Sequence, residues 1–102
     1  MADYRLQIIT QERMVFDRQV MSIVAPGGMG YLGVLANHAP LLTTLGKGRL
    51  IAREAPKREF VFDLDGGFLE VSNNLATVLA DRLELVSAPA GEEVAVSGEE
   101  QE

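Results

Sequence analysis

Phe60-Val61-Phe62-Asp63-Leu64-Asp65-Gly66-Gly67-Phe68-Leu69-Glu70-Val71-Ser72-Asn73-Asn74-Leu75-Ala76-Thr77-Val78-Leu79-Ala80 decides how this 102-residue chain is read. Phe60, Phe62 and Leu64 alternate with Val61 and Asp63, the period of two expected of a strand with one buried face. Asp65-Gly66-Gly67 predicts a hairpin, because glycine takes the positive φ that a tight turn requires. Residues 68–71 resume the extended pattern. Asn73-Asn74 offers a second tight turn, since Asn tolerates the left-handed region, and residues 76–80 make the next strand.

The same pattern continues in both directions from this stretch. Residues 4–9 place Leu6 and Ile8 on one face, residues 14–16 are a short apolar run, and residues 19–24 alternate until Pro26-Gly27-Gly28 stops them. Residues 31–35 are apolar again, and residues 48–53 resume an extended pattern after Gly46. Residues 37–45 contain Pro40 and two threonines and predict at most a turn or a short 3₁₀ segment. Beyond Asp81, Leu83 and Leu85 can extend a strand. Short strands punctuated by Gly, Pro and Asn predict an all-β antiparallel sandwich or barrel.

Composition narrows the class. Hydrophobic residues make up 47% of the chain, enough for one small core and far from a disordered composition. The absence of cysteine excludes a disulfide scaffold, a thiolate nucleophile and a Cys-ligated zinc site. The net charge of -6 is unevenly placed: Glu92, Glu93, Glu99, Glu100 and Glu102 lie in the last eleven residues, with no base among them. The body is therefore nearly neutral, and bulk-charge binding of nucleic acid is disfavoured. We expect a sandwich domain over residues 1–86 and an acidic, flexible tail over residues 87–102. The polar N-terminus lacks an apolar signal core, and no apolar run approaches the roughly 20 residues needed to cross a bilayer.

Each motif competes with a plain structural explanation. Gly28-Met29-Gly30-Tyr31-Leu32-Gly33 matches the dinucleotide fingerprint, but that chemistry needs a helix opening at the last glycines, and Val34 to Pro40 shows no helical run. A glycine-rich β-turn is the better reading. His38, the single histidine, cannot build a His-rich metal site and has no nucleophile motif around it, so a structural or interface role is expected. Asp63-Leu64-Asp65-Gly66 lacks the further ligands of a calcium loop. Arg49, Arg53, Lys57 and Arg58 form the one basic cluster, either a solvated edge or a surface for an acidic partner.

Residues 30–43, Gly-Tyr-Leu-Gly-Val-Leu-Ala-Asn-His-Ala-Pro-Leu-Leu-Thr, resemble the epsilon subunit of F-type ATP synthases. Gly66-Gly67-Phe68-Leu69-Glu70-Val71 and Thr77-Val78-Leu79-Ala80-Asp81 match a second block of that family. Leu6-Gln7-Ile8-Ile9-Thr10 with Val15-Phe16-Asp17 is also similar to it. The resemblance covers about residues 4–82. It implies a ten-stranded β-sandwich of two five-stranded sheets. It also implies a non-catalytic place in the central stalk, between the gamma subunit and the c-ring of a proton- or sodium-driven motor.

By that resemblance, Gly28, Met29, Gly30, Tyr31 and Leu32 face the c-ring together with Asn37, His38, Ala39, Pro40, Leu41 and Leu42. Gamma meets one outer face and edge of the sandwich. No catalytic residue, cofactor, metal or bound nucleotide is implied. The expected location is peripheral, on the cytoplasmic face of a bacterial plasma membrane. Tyr31 stands where many relatives carry an acid, Ala36-Asn37 where Pro-Gly is common, and Gly46-Lys47-Gly48 where Lys-Pro-Gly is common. Family members usually continue into a helical hairpin that restrains ATP hydrolysis. Residues 87–102, with Pro89, Gly91 and Gly98, predict no such helix, so helical-hairpin inhibition is expected to be absent. A free-standing β-sandwich interaction module in another assembly is the alternative.

Overall fold

The computed structural model describes residues 2–92, and among them there are eight strands and no helix. In chain order these are β1 (Tyr4–Ile9), β2 (Met14–Val20), β3 (Ser22–Gly27), β4 (Gly30–Leu35), β5 (Leu41–Ala55), β6 (Arg58–Ser72), β7 (Leu75–Ala80) and β8 (Leu83–Ser87). The hydrogen-bonded order is β2-β1-β7-β6-β5-β3-β4, with β8 also on β6. Two of the strands are 15 residues long and run through both layers. The first part of β5 and the second part of β6 lie with β7, β1 and β2 in layer one. The remaining parts lie with β3, β4 and β8 in layer two. Ten strands were expected; eight are present, because β5 and β6 each supply a segment to both five-membered layers. One pairing is parallel, β1 with β7, where an antiparallel sheet was expected.

The long strands also correct two local readings. Asp65-Gly66-Gly67 is not a hairpin but a bend inside continuous β6, with φ of 85° at Gly66 and 142° at Gly67. Phe60, Phe62 and Leu64 of β6 face the core before the bend, whereas Leu69 and Val71 face it afterwards. β5 makes the same change of parity, from Leu45 to Leu50 and Ala52. The β5–β6 ladder keeps one register through the bend, from Leu41 to Arg53, with Leu45 opposite Gly67 and Lys47 opposite Asp65, and shifts only between Arg53 and Ala55. Residues 41–45, expected to be at most a turn, are the start of β5. Their ladder with β6 overrides the weak local signal of Pro40 and the threonines.

The chain around the bend leaves no room for side chains. A Cβ at Gly66 would sit 2.7 Å from Asp81 Oδ2, and one at Gly67 would collide with the carbonyl oxygen of Leu79. The Asp81 N–H donates to the Gly66 carbonyl at 3.0 Å and the Asp65 N–H to the Arg82 carbonyl at 3.0 Å, so the β7–β8 connection follows the same bend. Asn73 and Asn74, with φ of 54° and 60°, make the expected tight turn between β6 and β7.

The core lies between the layers. Phe60 and Phe62 of layer two meet Phe16 of layer one edge to face, at centroid distances of 5.0 and 5.7 Å. Leu6, Ile8, Val20, Ile23, Leu50, Leu69 and Val78 fill the remainder, and no polar or charged residue among those described is buried. One hydrogen bond crosses the core: the buried Tyr4 hydroxyl of β1 donates to the Val34 carbonyl of β4 at 2.6 Å. Desolvation pushes the Tyr4 phenol well above its ordinary range, so it remains a donor at any physiological pH.

Candidate functional site

The residues that the resemblance points to lie along one stretch of chain, which runs out along β4 and back along the start of β5. β3 and β4 form a hairpin with Gly27 opposite Gly30, and Gly28 and Met29 form its tip. Met29 is fully exposed. Gly30, at φ 127°, supplies the backbone conformation that closes the tip. This is a β-hairpin rather than a phosphate-cradling turn, since β4 follows where the dinucleotide motif needs a helix.

From the tip, β4 carries Tyr31 and Leu32 away to a turn at Ala36 and Asn37. β5 then brings Leu41 and Leu42 back, until Thr44 lies beside Gly28. Gly28–Gly30 and Asn37–Pro40 are thus at opposite ends of β4, roughly 17 Å apart for six residues of strand. Leu41 and Leu42 lie between them. Leu42 is 72% exposed, and Leu41 is partly packed against the core. Pro40, Leu41 and Leu42 line a shallow open groove with Glu70, Val71 and Ser72.

Hydrogen bonds fix both ends. The Tyr31 hydroxyl accepts the Arg49 N–H at 2.9 Å. Pairing of β3 with β5 breaks between Val24 and Gly27, leaving residues of β5 around Arg49 without a β3 partner, and the phenol supplies the acceptor. The ring lies over Gly48, where a Cβ would collide with the hydroxyl. Tyr31 therefore ties the hairpin to β5, a task that its place in the sequence did not reveal. At the other end, Asn37 takes φ 65°, and its N–H donates to Asn74 Oδ1 at 2.6 Å. His38 Nδ1 lies 2.7 Å from the Ala39 carbonyl oxygen, so Nδ1 carries the proton in that bond.

Sequence reasoning missed a second surface. The outer face of layer one aligns Thr44, Phe68, Leu79, Ile9 and Met14 in one row across five strands. Phe68, Leu79 and Met14 are each about half exposed, at 48%, 50% and 46%. The signal was present in Phe68 and Leu79, but the false hairpin at Gly66-Gly67 hid their common side. The basic cluster, by contrast, is largely paired within the chain. Arg49 meets Asp63 at 3.0 Å, Arg53 meets Glu59, and Arg58 meets both Glu54 and Glu92. Among the described residues, no group of three or more His, Asp or Glu is arranged to hold a metal ion, and no helix is long and apolar enough to cross a membrane.

This architecture coincides with a known family. The model of the ATP synthase delta/epsilon chain β-sandwich domain matches residues 3–86, nearly all of the described body. The chain belongs to that family. It is 44% identical over 84 residues to the ATP synthase epsilon chain of Moorella thermoacetica, covering 82% of this chain and 63% of that protein. It is 48% identical over 80 residues to the epsilon chain of Pelotomaculum thermopropionicum, covering 78% of this chain and 59% of that one. The chain thus spans about three-fifths of the length of the curated relatives it matches. Its fold is also that of a chain in the cryo-EM structure of Euglena gracilis mitochondrial ATP synthase, comprising OSCP, F1 and c-ring. The TM-score there is 0.77 at 21% identity, over 83% of this chain and 54% of that one. A chain of the Tetrahymena thermophila central stalk and c-ring gives 0.65 at 19% identity, over 78% and 63%.

Proposed function

We propose that this epsilon-type sandwich is a passive mechanical element of an ATP synthase rotor, linking the c-ring to the gamma subunit and performing no catalysis itself. The observation that carries the reading is the family match across residues 3–86, which spans the whole sandwich rather than a fragment of it. The physical properties agree. A torque-bearing adaptor needs a stiff body, and a close-packed core between two layers joined by continuous strands supplies one. It needs contact surfaces more than an enclosed pocket, and the groove beside Leu41 and Leu42 is shallow and open.

The hairpin tip at Met29 and the Asn37–Leu42 segment face the c-ring, presenting an exposed methionine and leucine at well-braced positions. Gamma covers the outer face of layer one, where Phe68, Leu79, Ile9 and Met14 form a continuous apolar row. The domain is held at the membrane peripherally, through the ring, at the cytoplasmic face of a bacterial plasma membrane. The coupling ion is a property of the ring and not of this chain.

The deciding experiment is co-purification of the tagged chain with gamma and then with a gamma–c-ring complex. Retention at one copy per gamma supports the reading. A chain that elutes alone while gamma still binds the ring would remove the rotor assignment and leave an interaction module for another assembly.

A further inference from the structure

Four charged side chains meet where the two layers adjoin: Arg18 of β2, Glu54 of β5, Arg58 of β6, and Glu92 beyond β8. Glu54 receives Arg18 Nη1 at 3.2 Å on one oxygen and Arg58 Nε at 3.1 Å on the other. Glu92 does the same from the opposite side, taking Arg18 Nη2 at 3.0 Å on Oε1 and Arg58 Nη2 at 2.8 Å on Oε2. The result is a closed, neutral ring in which each carboxylate spans both guanidiniums. Arg18 also lies over Phe60, 4.9 Å from the ring centroid, and 5.6 Å from that of Phe16, so it roofs the aromatic contact that joins the layers.

The segment that delivers Glu92 is shaped for the purpose. The Glu92 N–H donates to the Pro89 carbonyl at 3.0 Å, and Gly91 takes φ 81°, so residues 89–92 close a tight turn just after the last strand. Ala88 is partly buried against the core. Without Glu92, two arginines would share the single carboxylate of Glu54.

We propose that Arg18 and Arg58 form a carboxylate-binding clamp whose ligand is Glu92 of the same chain, and that its occupation latches residues 88–92 across the seam between the layers. The clamp thereby sets the direction in which the chain leaves the sandwich. The inference is independent of the rotor reading, since none of the four residues belongs to the surfaces assigned to partners. It differs from the expectation of an acidic, flexible tail over residues 87–102 only in its first part: the proposed latch holds the chain as far as Glu92, and residues 93–102 lie outside the described residues.

The latch responds to pH and salt. Hydrogen bonds from Arg58 and then Arg18 hold the Glu92 carboxyl below its ordinary range. A depressed carboxylate contributes its full effect above its unfolded value, about 4.3, and loses it as pH falls through the lower folded value. The charged groups facing Glu92 are Arg18 and Arg58, with Glu54 completing the ring, and both arginines keep their charge over this range. Near 1 M salt the screening length falls to about 3 Å, which weakens the partly exposed pairs.

Backbone ¹⁵N relaxation on the full chain tests the proposal, comparing wild type, Glu92→Gln and Arg58→Lys. At pH 7 and low salt, order parameters of Gly91 and Glu92 should match those of β8, near the rigid value of about 0.85, and fall below about 0.6 in Glu92→Gln. The amides of β1 to β7 should not change. Arg58→Lys keeps the charge but cannot span both carboxylates, and gives a smaller release. Lowering the pH of wild type below the ordinary carboxylate range should release Gly91 and Glu92 progressively toward the behaviour of Glu92→Gln. Mobile Gly91 and Glu92 amides in wild type at pH 7 would overturn the clamp. So would a Glu92→Gln protein in which they remain rigid, or one whose strands lose order together with the segment.

Discussion

The two outer faces of the sandwich carry similar strands but are finished differently. On layer two, Val24, Ile51 and Val61 form a short apolar row. A cross-strand ion pair flanks it on either side, Arg49 with Asp63 and Arg53 with Glu59. On layer one, the row of Phe68, Leu79, Ile9 and Met14 runs across four strands. Its nearest ion pair, Arg5 with Asp17 at 2.6 Å, is confined to β1 and β2. Charges directly opposite each other across a ladder keep a face wet and discourage another surface from docking. An unfenced row of half-exposed apolar side chains does the reverse. The same fold thus presents one face suited to solvent and one suited to a partner.

The comparison depends on the bend that separates the layers, and Gly67→Ala should break it most severely. A Cβ there strikes the Leu79 carbonyl, and φ of 142° is strained for any L side chain. Overpacking and backbone strain together should cost about 3 kcal/mol or more. Urea denaturation should show a midpoint shifted far to lower denaturant, or no cooperative transition. Gly46→Ala in the facing strand meets nothing within 4 Å and serves as the mild control. Equal losses in the two variants would mean that the bend is not built on Gly67.

The next largest effect separates the faces directly. Phe68→Ser with Leu79→Ser should weaken retention by gamma roughly 10- to 100-fold, on the scale of two interface anchors of about 1 kcal/mol or more each. Val24→Thr on layer two should leave retention unchanged. Pull-down titration reads both, with far-UV circular dichroism to confirm folding. If Val24→Thr weakens binding as much as the double variant, the assignment of faces is reversed.

Much of this was legible in the sequence, and the failures have a physical pattern. Alternation at Phe60, Phe62 and Leu64 located a buried strand, and Asn73-Asn74 located a turn, because both signals are local. Gly66-Gly67 misled because positive φ serves a hairpin and a mid-strand bend equally well. Only the ladder from Leu41 to Ala55 distinguishes them, and that is a long-range fact. The turn assigned to residues 37–45 failed for the same reason at its second half. At the candidate site, the exposed tip and turn were readable from Gly and Asn. The brace from Tyr31 to Arg49 was not, because an 18-residue separation joins an aromatic to a backbone N–H that lacks a partner only once the sheet has formed.

That brace provides a smaller test on the layer-two side. Tyr31→Phe keeps the ring over Gly48 and removes only the acceptor for the Arg49 N–H. One exposed hydrogen bond is worth about 1 kcal/mol or less. Hydrogen exchange at the Arg49 amide should accelerate about fivefold, while the amides of β1 and β7 keep their rates. An unchanged Arg49 amide would mean that water or another group already satisfies it, and that the hairpin tip is held by β3 alone.

The smallest effect tests whether the fence on layer two is structural or merely wet. Arg53 sends both Nε, at 2.9 Å, and Nη2 to Glu59 Oε2, and the two residues are directly opposite in the β5–β6 ladder. The geometry is close, yet the pair stands in solvent, where screening and side-chain entropy offset most of the attraction. A double-mutant cycle of Arg53→Ala and Glu59→Ala should therefore give a coupling of about 0.5 kcal/mol at low salt, falling toward zero in 1 M NaCl. Such a value leaves the pair with a role in excluding partners rather than in holding the sheet. A coupling several times larger that survives high salt would make the ion pairs part of the fold itself. The contrast between the two faces would then reflect how layer two is stabilised, not what each face is meant to meet.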